Sequence, residues 1–306
     1  MRKSVLILGA NGRFGRHAAA AFWNAGWNIH PFERTREDLM QAAATADVIV
    51  AGWNPAYRDW AAQVPALHAR IQAAARASGA TVILPGNVYV YAPDTPLPWG
   101  PDRAHRATNP LGRIRVDLEA SYRCSGVQTI VLRAGDFIDT EPSGNWLDKV
   151  ILRGLCKGRI SYPGPVDVPH AWAYLPDLAR AAVALAEKRS ELGQFEDLAF
   201  DGYTLTANQM AAILSDITRR PVQARPMSWL PIQAARPFWP EARYLLEMRY
   251  LWQVPHRLDC TRLAALCPQL PVTPPEEALK IAATPFQRVP RHCRCQSISR
   301  STQTIR

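Results

Sequence analysis

A chain of 306 residues, 48% hydrophobic and 20% charged, is long enough for one large core or two unequal lobes and has the balance of a globular protein, which excludes disordered and fibrous classes. The formal net charge of +10 raises nucleic acid as a partner, but the last 23 residues, from Thr284, hold five arginines and no acid, so half of the excess sits in one tail. The remaining surplus is spread over a body without a basic run, which suits anionic small molecules; no specific nucleic-acid binding is expected.

The basic, apolar start MRKSVLILGA superficially suits export, but it runs into Asn11-Gly12-Arg13 with no small-residue cleavage site. No later stretch has enough consecutive apolar residues to span a bilayer, so no membrane partner is expected and the chain reads as cytoplasmic. Ser4 to Leu8 is a buried strand that ends in LGANGRFGRH. A helix follows from Arg13 to Ala25, closed at Gly26. WNIHPF is a second strand, Arg36 to Ala44 a second helix, and DVIVA (Asp47 to Ala51) a third strand. Tyr57 to Ser78 is an alanine-rich helix ended by Gly79, and TVILP a fourth strand. A polar, proline-rich loop from Ala92 to Asn109 precedes a helix that carries Leu111, Arg113 and Arg115, and QTIVLR, residues 128 to 133, is a fifth strand.

Strands alternating with helices at this spacing mean βαβ units with right-handed crossovers. The fold class is therefore α/β, a Rossmann-like doubly wound parallel sheet. Past residue 135 the rhythm changes to a helix-like WLDKVILRGLCKG, the loop YPGPVDVPHAWAY, a helix opened by Pro176, an amphipathic ANQMAAILSDITRR and a closing PEEALKIAATPF. The expected organisation is a cofactor domain of residues 1–140 with 175–205, and a smaller, mostly helical C-terminal substrate lobe of 141–174 with 206–286. The basic tail, 287–306, is expected to be disordered. Cys124, Cys156, Cys260 and Cys267 sit in helix-like or apolar settings and are expected to be reduced core thiols. Cys293 and Cys295 in RHCRC have no partner pair at zinc spacing, and His292 does not complete four ligands, so no metal is expected.

Gly9, Gly12 and Gly15 stand between the first strand and first helix, where glycine allows the tight turn, the approach of backbone amides to a pyrophosphate, and close helix–strand packing. Asn11, Arg13 and Phe14 complete that loop. In PFERTRED, Glu33 could bond a ribose hydroxyl, as in NAD, whereas Arg34 could take the extra phosphate of NADP. Arg13 is a second candidate for the adenosine side, and two arginines against one acid favour NADP, with NAD left open.

The chain resembles the extended or atypical branch of the short-chain dehydrogenase/reductase superfamily, also called the NAD-dependent epimerase/dehydratase family. LGANGRFG, LPGNVYVYAP, VLRAGDFID and AYLPDLARA carry the likeness, joined by LDCTRLAAL and TPPEEALKIA, over roughly residues 3 to 283. The resemblance implies hydride transfer, with a Tyr-x-x-x-Lys pair that moves the proton and holds the nicotinamide ribose, and a Ser or Thr after the fourth strand that polarises the carbonyl. This sequence has Leu111 and Arg115 at the pair, and Asn87 at the hydroxyl position.

Arginine can keep the ribose contact but does not relay a proton. Tyr91, at the family's Val-Tyr-Gly position, is the first replacement donor and Tyr89 the second, each also readable as core packing, with Asn87 as a carbonyl ligand. Trp53 and Trp99 could wall a planar substrate or simply fill the core, and His170 reads as an ordinary surface histidine. Arg133 and Asp177 could simply hold a strand end and a helix start. Two functions follow. One is an NADP-dependent oxidoreductase or epimerase with a relocated acid acting on a small molecule; the other is a non-catalytic NADP-binding sensor. A homodimer is compatible with either.

Overall fold

The computed structural model describes residues 3–287, so the expectations for the basic tail and for His292, Cys293 and Cys295 lie outside the described residues. Six strands form the central sheet: β1 (Ser4–Leu8), β2 (Asn28–Pro31), β3 (Val48–Ala51), β4 (Thr81–Gly86), β5 (Thr129–Arg133) and a sixth (Phe195–Ala199). Every pairing among them is parallel. Between β5 and the sixth lie β6 (Asp136–Ile138), β7 (Arg159–Tyr162) and β8 (His170–Tyr174), so the sixth is β9; β10 (Tyr203–Leu205) and β11 (Gln223–Pro226) follow.

The helices are α1 (Arg13–Asn24), α2 (Leu39–Ala43), α3 (Trp60–Ser78), α4 (Pro110–Cys124), α5 (Leu175–Glu187), α6 (Ala207–Thr218), α7 (Leu230–Ala235), α8 (Ala242–Glu247), α9 (Thr261–Leu266) and α10 (Pro275–Ala283). Among the described residues, no helix is long and apolar enough to cross a membrane.

The alternation of side chains along each strand assigns the two faces. Val5 and Ile7 pack with Val48, Val50, Ile83 and Ile130 against Phe14, Ala18 and Phe22 of α1 and the alanine-rich face of α5. Leu6 and Leu8 point the other way and join Ile49, Val82, Leu84 and Val131 under α2, α3 and α4. The sheet order β2-β1-β3-β4-β5-β9 reverses direction between β1 and β3, and a crevice at the carboxyl ends of those strands is where open α/β sheets take ligands.

The smaller lobe has its own core, built around Ile138, Leu152, Tyr162, Trp172, Met210 and Leu279. It is less purely helical than the sequence suggests, since it contains a three-stranded sheet, β10-β8-β6, and a two-stranded one, β11-β7. The stretch WLDKVILRGLCKG is a π-helical turn (Leu147–Ile151) followed by a 3₁₀ segment (Leu152–Lys157), not a regular α-helix. The boundary between the lobes also crosses back: Tyr244, Met248, Leu251 and Leu258 pack on the α3/α4 face of the sheet, and Leu263 and Cys267 on the α1/α5 face. Of the cysteines expected in the core, Cys267 is buried while Cys124, at the end of α4, is exposed.

The sheet carries one buried cation. Arg133, fully buried at the end of β5, donates through Nη2 to Glu119 Oε2 and to Asp197 Oδ2, each at 2.7 Å, and through Nη1 to the Asn87 carbonyl at 2.6 Å. It thereby ties α4, β9 and the segment after β4 to β5. The neighbouring carboxylates hold the Arg133 guanidinium well above its usual range despite desolvation, and the guanidinium holds Asp197 down at about 2. His105, Glu119 and Asp197 bring ligand atoms within 4.8 Å of one another, but Arg133 already bonds both carboxylates and supplies the positive charge at their centre.

Removing that cation strands two buried carboxylates, which costs about 3–5 kcal/mol. Arg133→Met is therefore expected to lower the melting temperature sharply, as circular dichroism would show. Asp197 has a depressed folded pKa, so its contribution is fully present above the ordinary value of 3.8 and is lost as pH falls through about 2. Urea midpoints measured from pH 5 to pH 2 should fall with acidification in the native chain, and the slope should flatten in Asp197→Asn.

Candidate functional site

The glycine loop closes the β1 end of the crevice. Gly9 has φ +79°, and the Gly12 N–H donates to its carbonyl at 2.8 Å. A Cβ on Gly15 would lie 2.0 Å from Gly9 O, so the first turn of α1 rests directly on the loop backbone. Gly12 caps α1 without a side-chain bond, which leaves the amides of the first turn facing the exposed Asn11-Gly12-Arg13 rim. The backbone thus has the shape and partial positive charge that a pyrophosphate requires. Phe14 and Gly15 are buried, so Phe14 can contribute only its backbone there.

The two adenosine candidates separate. Arg13 reaches into the smaller lobe instead: its Nε donates to Ser143 O at 2.9 Å and its Nη2 to Gly144 O at 2.7 Å, so it fastens the lobes and is not on the adenosine side. Arg34 stays exposed beyond β2, with its guanidinium carbon 4.4 Å from the centroid of the Trp53 ring. Glu33, the competing acid, is engaged by Arg36 at 3.0 Å.

Leu111 lies in the core at 1% exposure, and the start of α4 is held by Glu247, whose Oε1 accepts from the Leu111 N–H at 2.6 Å and from Asn109 Nδ2 at 2.9 Å. A Cβ on Gly112 would come within 2.6 Å of Tyr89 O, so the helix presses on the segment after β4. Arg115, expected at the ribose, is buried, donates to Pro85 O at 2.7 Å and lies 3.8 Å from Glu119; burial lowers its pKa, and the carboxylate one turn along offsets part of that.

Tyr91 also leaves the site. It is fully buried, its hydroxyl donates to Gly100 O at 3.1 Å, and its ring stacks on Trp99 at 5.0 Å. Trp99 is buried too, stacked on His256 at 4.8 Å, and walls no open cleft. Tyr89 is half-buried, and its hydroxyl shares a 2.6 Å hydrogen bond with that of Tyr57, a residue the sequence did not single out. Burial raises the pKa of both phenols, and for Tyr89 the neighbouring Tyr57 and Asp136 add to the rise. Asn87 Oδ1 accepts from the Tyr89 N–H at 3.1 Å, which leaves its Nδ2 as a donor.

A second pair faces these phenols. His170, far from being a surface residue, is 2% exposed on β8; its Nε2 is 2.8 Å from Asp136 Oδ2 and its ring stacks on Trp252 at 4.2 Å. Asp136 opens β6, three residues beyond β5, and its charge bears on Tyr57, Tyr89 and Tyr162, raising all three. Its signal in the sequence is an acid in LRAGD at a strand's carboxyl end, where ligands sit. Asp177 keeps a structural role at the start of α5, accepting from Thr273 N and Oγ1 at 2.7 and 2.8 Å.

No protein-family model and no curated protein matches the sequence. Solved structures do match. UDP-N-acetylglucosamine 4-epimerase from Bacillus cereus aligns over 94% of this chain and 100% of its own, at 12% identity and a TM-score of 0.71. RMD from Pseudomonas aeruginosa, complexed with NADPH, aligns over 93% and 99%, at 16% identity and a TM-score of 0.67. MoeE5, in complex with UDP-glucose and NAD, aligns over 92% and 98%, at 16% identity and a TM-score of 0.69. The fold read from the sequence is thus the one found: that of the extended short-chain dehydrogenases/reductases and epimerases.

Since the Tyr91 hydroxyl serves only a backbone carbonyl, Tyr91→Phe should cost about 1 kcal/mol of stability and no more. Chemical denaturation measures this; a change several times larger would mean that the hydroxyl has a further partner.

Proposed function

We propose that this chain is an NAD(P)-binding, epimerase-like oxidoreductase for a carbonyl- or hydroxyl-bearing small molecule, with proton transfer moved from the α4 position to the Tyr89–Tyr57 phenol pair. The observation that carries this reading is the placement of that pair after β3 and β4, in a sheet whose glycine cradle lies at the switch point. The residues fit a dinucleotide at the pyrophosphate, where side chains at Gly9 and Gly15 would run into the backbone of the loop and of the segment after β3 and so spoil the tight turn. They differ at the inner ribose, where Arg115 is turned to Pro85. A bound nicotinamide would supply or accept the hydride.

The protein's own part follows from its charges. Both phenols are protonated at neutral pH, because burial disfavours their anions. Tyr89 therefore acts as an acid, with Tyr57 as its hydrogen-bonded second proton source. Asn87 Nδ2 supplies a neutral donor to a carbonyl oxygen. The Asp136 carboxylate, held by His170 Nε2 at 2.8 Å, bears on both phenols and helps to keep them protonated. This arrangement favours the reductive direction, in which the enzyme donates a proton.

NADP is the expected dinucleotide, since Arg34 offers an exposed guanidinium where the 2′-phosphate would lie while Glu33 is paired with Arg36. The competing reading, a sensor that binds the dinucleotide without turnover, draws on the core position of Leu111 and the retracted Arg115.

Thermal-shift titrations with NADP, NADPH, NAD and NADH test binding first; the phosphorylated pair should stabilise the chain more, and Arg34→Ala should remove that preference. An NAD preference in the native chain would sink the assignment. Against a panel of sugar-nucleotide and small carbonyl substrates, Tyr89→Phe should slow turnover by roughly two to four orders of magnitude, with a smaller loss in Tyr57→Phe. Tight NADP binding with no turnover on any substrate would establish the sensor instead.

A further inference from the structure

The outer face of the two-stranded sheet carries an unneutralised cluster of cations. In the parallel β7–β11 pair, Gln223 is opposite Arg159 and Arg225 opposite Ser161. Ile160 and Ala224 turn inward to the lobe core, so by strand alternation Arg159, Gln223 and Arg225 share the outer face. With Lys157, Gly158 and Pro221 they line a cavity of about 500 Å³, which is the size of a small-molecule site. Gly158, at φ +66°, lies so close to the other segment that a Cβ would stand 2.8 Å from Pro221 O, and this close approach forms the floor.

Three cations and no acid line the cavity. Among the described residues none of the three is ion-paired, and the only hydrogen-bond partner of the Arg225 guanidinium is the neutral Gln223 Oε1, at 3.1 Å. The stem of Arg159 is laid across Gly154, where a Cβ would meet its Cγ at 2.8 Å, so the guanidinium is directed by packing.

We infer that this cavity is a second anion site, built for a phosphate-bearing small molecule such as a phosphomonoester or diphosphate. Two guanidinium forks can grip phosphate oxygens in a fixed geometry, while Lys157 adds a point charge. The site is separate from the dinucleotide cradle, which is made by α1 and the large sheet. It is nevertheless connected to the candidate catalytic groups, because β7 runs about 10 Å from Arg159 to Tyr162, and the Tyr162 ring packs against Trp252 at 5.4 Å and His170 at 6.5 Å.

Calorimetric titration of the full chain with pyrophosphate, and separately with glucose 1-phosphate, tests the inference. One binding event that depends on these arginines is expected for each, in addition to the event that pyrophosphate can make at the glycine loop. Arg159→Gln and Arg225→Gln should each weaken it roughly tenfold, with the melting temperature unchanged because both side chains are exposed. Arg34→Gln, at the crevice, should leave it intact. Equal affinity in the native chain and the Arg159→Gln/Arg225→Gln double variant overturns the assignment. A short single-stranded oligonucleotide that binds through the same arginines more tightly than pyrophosphate would also overturn it, making the face a polyanion surface.

Discussion

A guanidinium enclosed by two carboxylates and a carbonyl sets the geometry on which the candidate site depends. Arg133 is completely buried, and its partners come from α4, β9 and the segment after β4. A buried ion pair is not a strong net source of stability, since desolvation consumes most of its attraction. Its consequence here is positional: once the cation is inside, each of its partners has one acceptable place. The Asn87 carbonyl must face Arg133, which orients the backbone leading to Tyr89, and Asn87 Oδ1 then accepts the Tyr89 N–H. Glu119 must face it too, and that fixes the rotation of α4.

The rotation of α4 also sets where Arg115 and Leu111 fall. With Glu119 turned toward Arg133, Arg115 one turn earlier lies beside the same carboxylate and is drawn to Pro85 O. Leu111, another turn back, falls into the core, and Gly112 lets the helix touch Tyr89 O. The replacements at 111 and 115 are therefore one structural solution. They close the space on the α4 side and leave the crevice to residues from β3, β4 and β5.

How much of this could be read in the sequence divides along physical lines. The glycine loop and five strands of the sheet were legible because each rests on a local signal: a glycine spacing, or a short apolar run between helical patterns. The sixth strand was not, because FEDLA places two acids in a parallel, two-sided strand, and nothing local reveals that Asp197 is neutralised from β5. The relative placement of Tyr91 and Tyr89 was hidden for a similar reason. The chain leaves β4 through a 3₁₀ turn, Val88–Val90, so strand alternation no longer says which phenol faces the crevice. His170 and Asp136 lie 34 residues apart and meet only through the β6–β8 pairing, and Arg13 reaches Ser143 and Gly144 across 130 and 131 positions. Such contacts depend on how the two lobes close, which no spacing in the sequence encodes.

The chemistry that remains differs in kind from that of a tyrosine beside a lysine. A cation near a phenol lowers its pKa and lets it serve as acid in one direction and base in the other. Burial, the neighbouring Tyr57 and the Asp136 carboxylate all resist ionisation of Tyr89, although the Arg115 guanidinium also bears on it. A phenol in this setting gives a proton more readily in response to charge developing on a substrate oxygen than it takes one from an alcohol. The direction follows from the environment and does not depend on the substrate's identity. The same environment makes the Tyr57 contact consequential, because a hydrogen-bonded neighbour is the shortest route by which a buried phenol regains its proton. On the proposed reading, a second phenol hydrogen-bonded to Tyr89 does the work of resupply, and the pair serves as a donor.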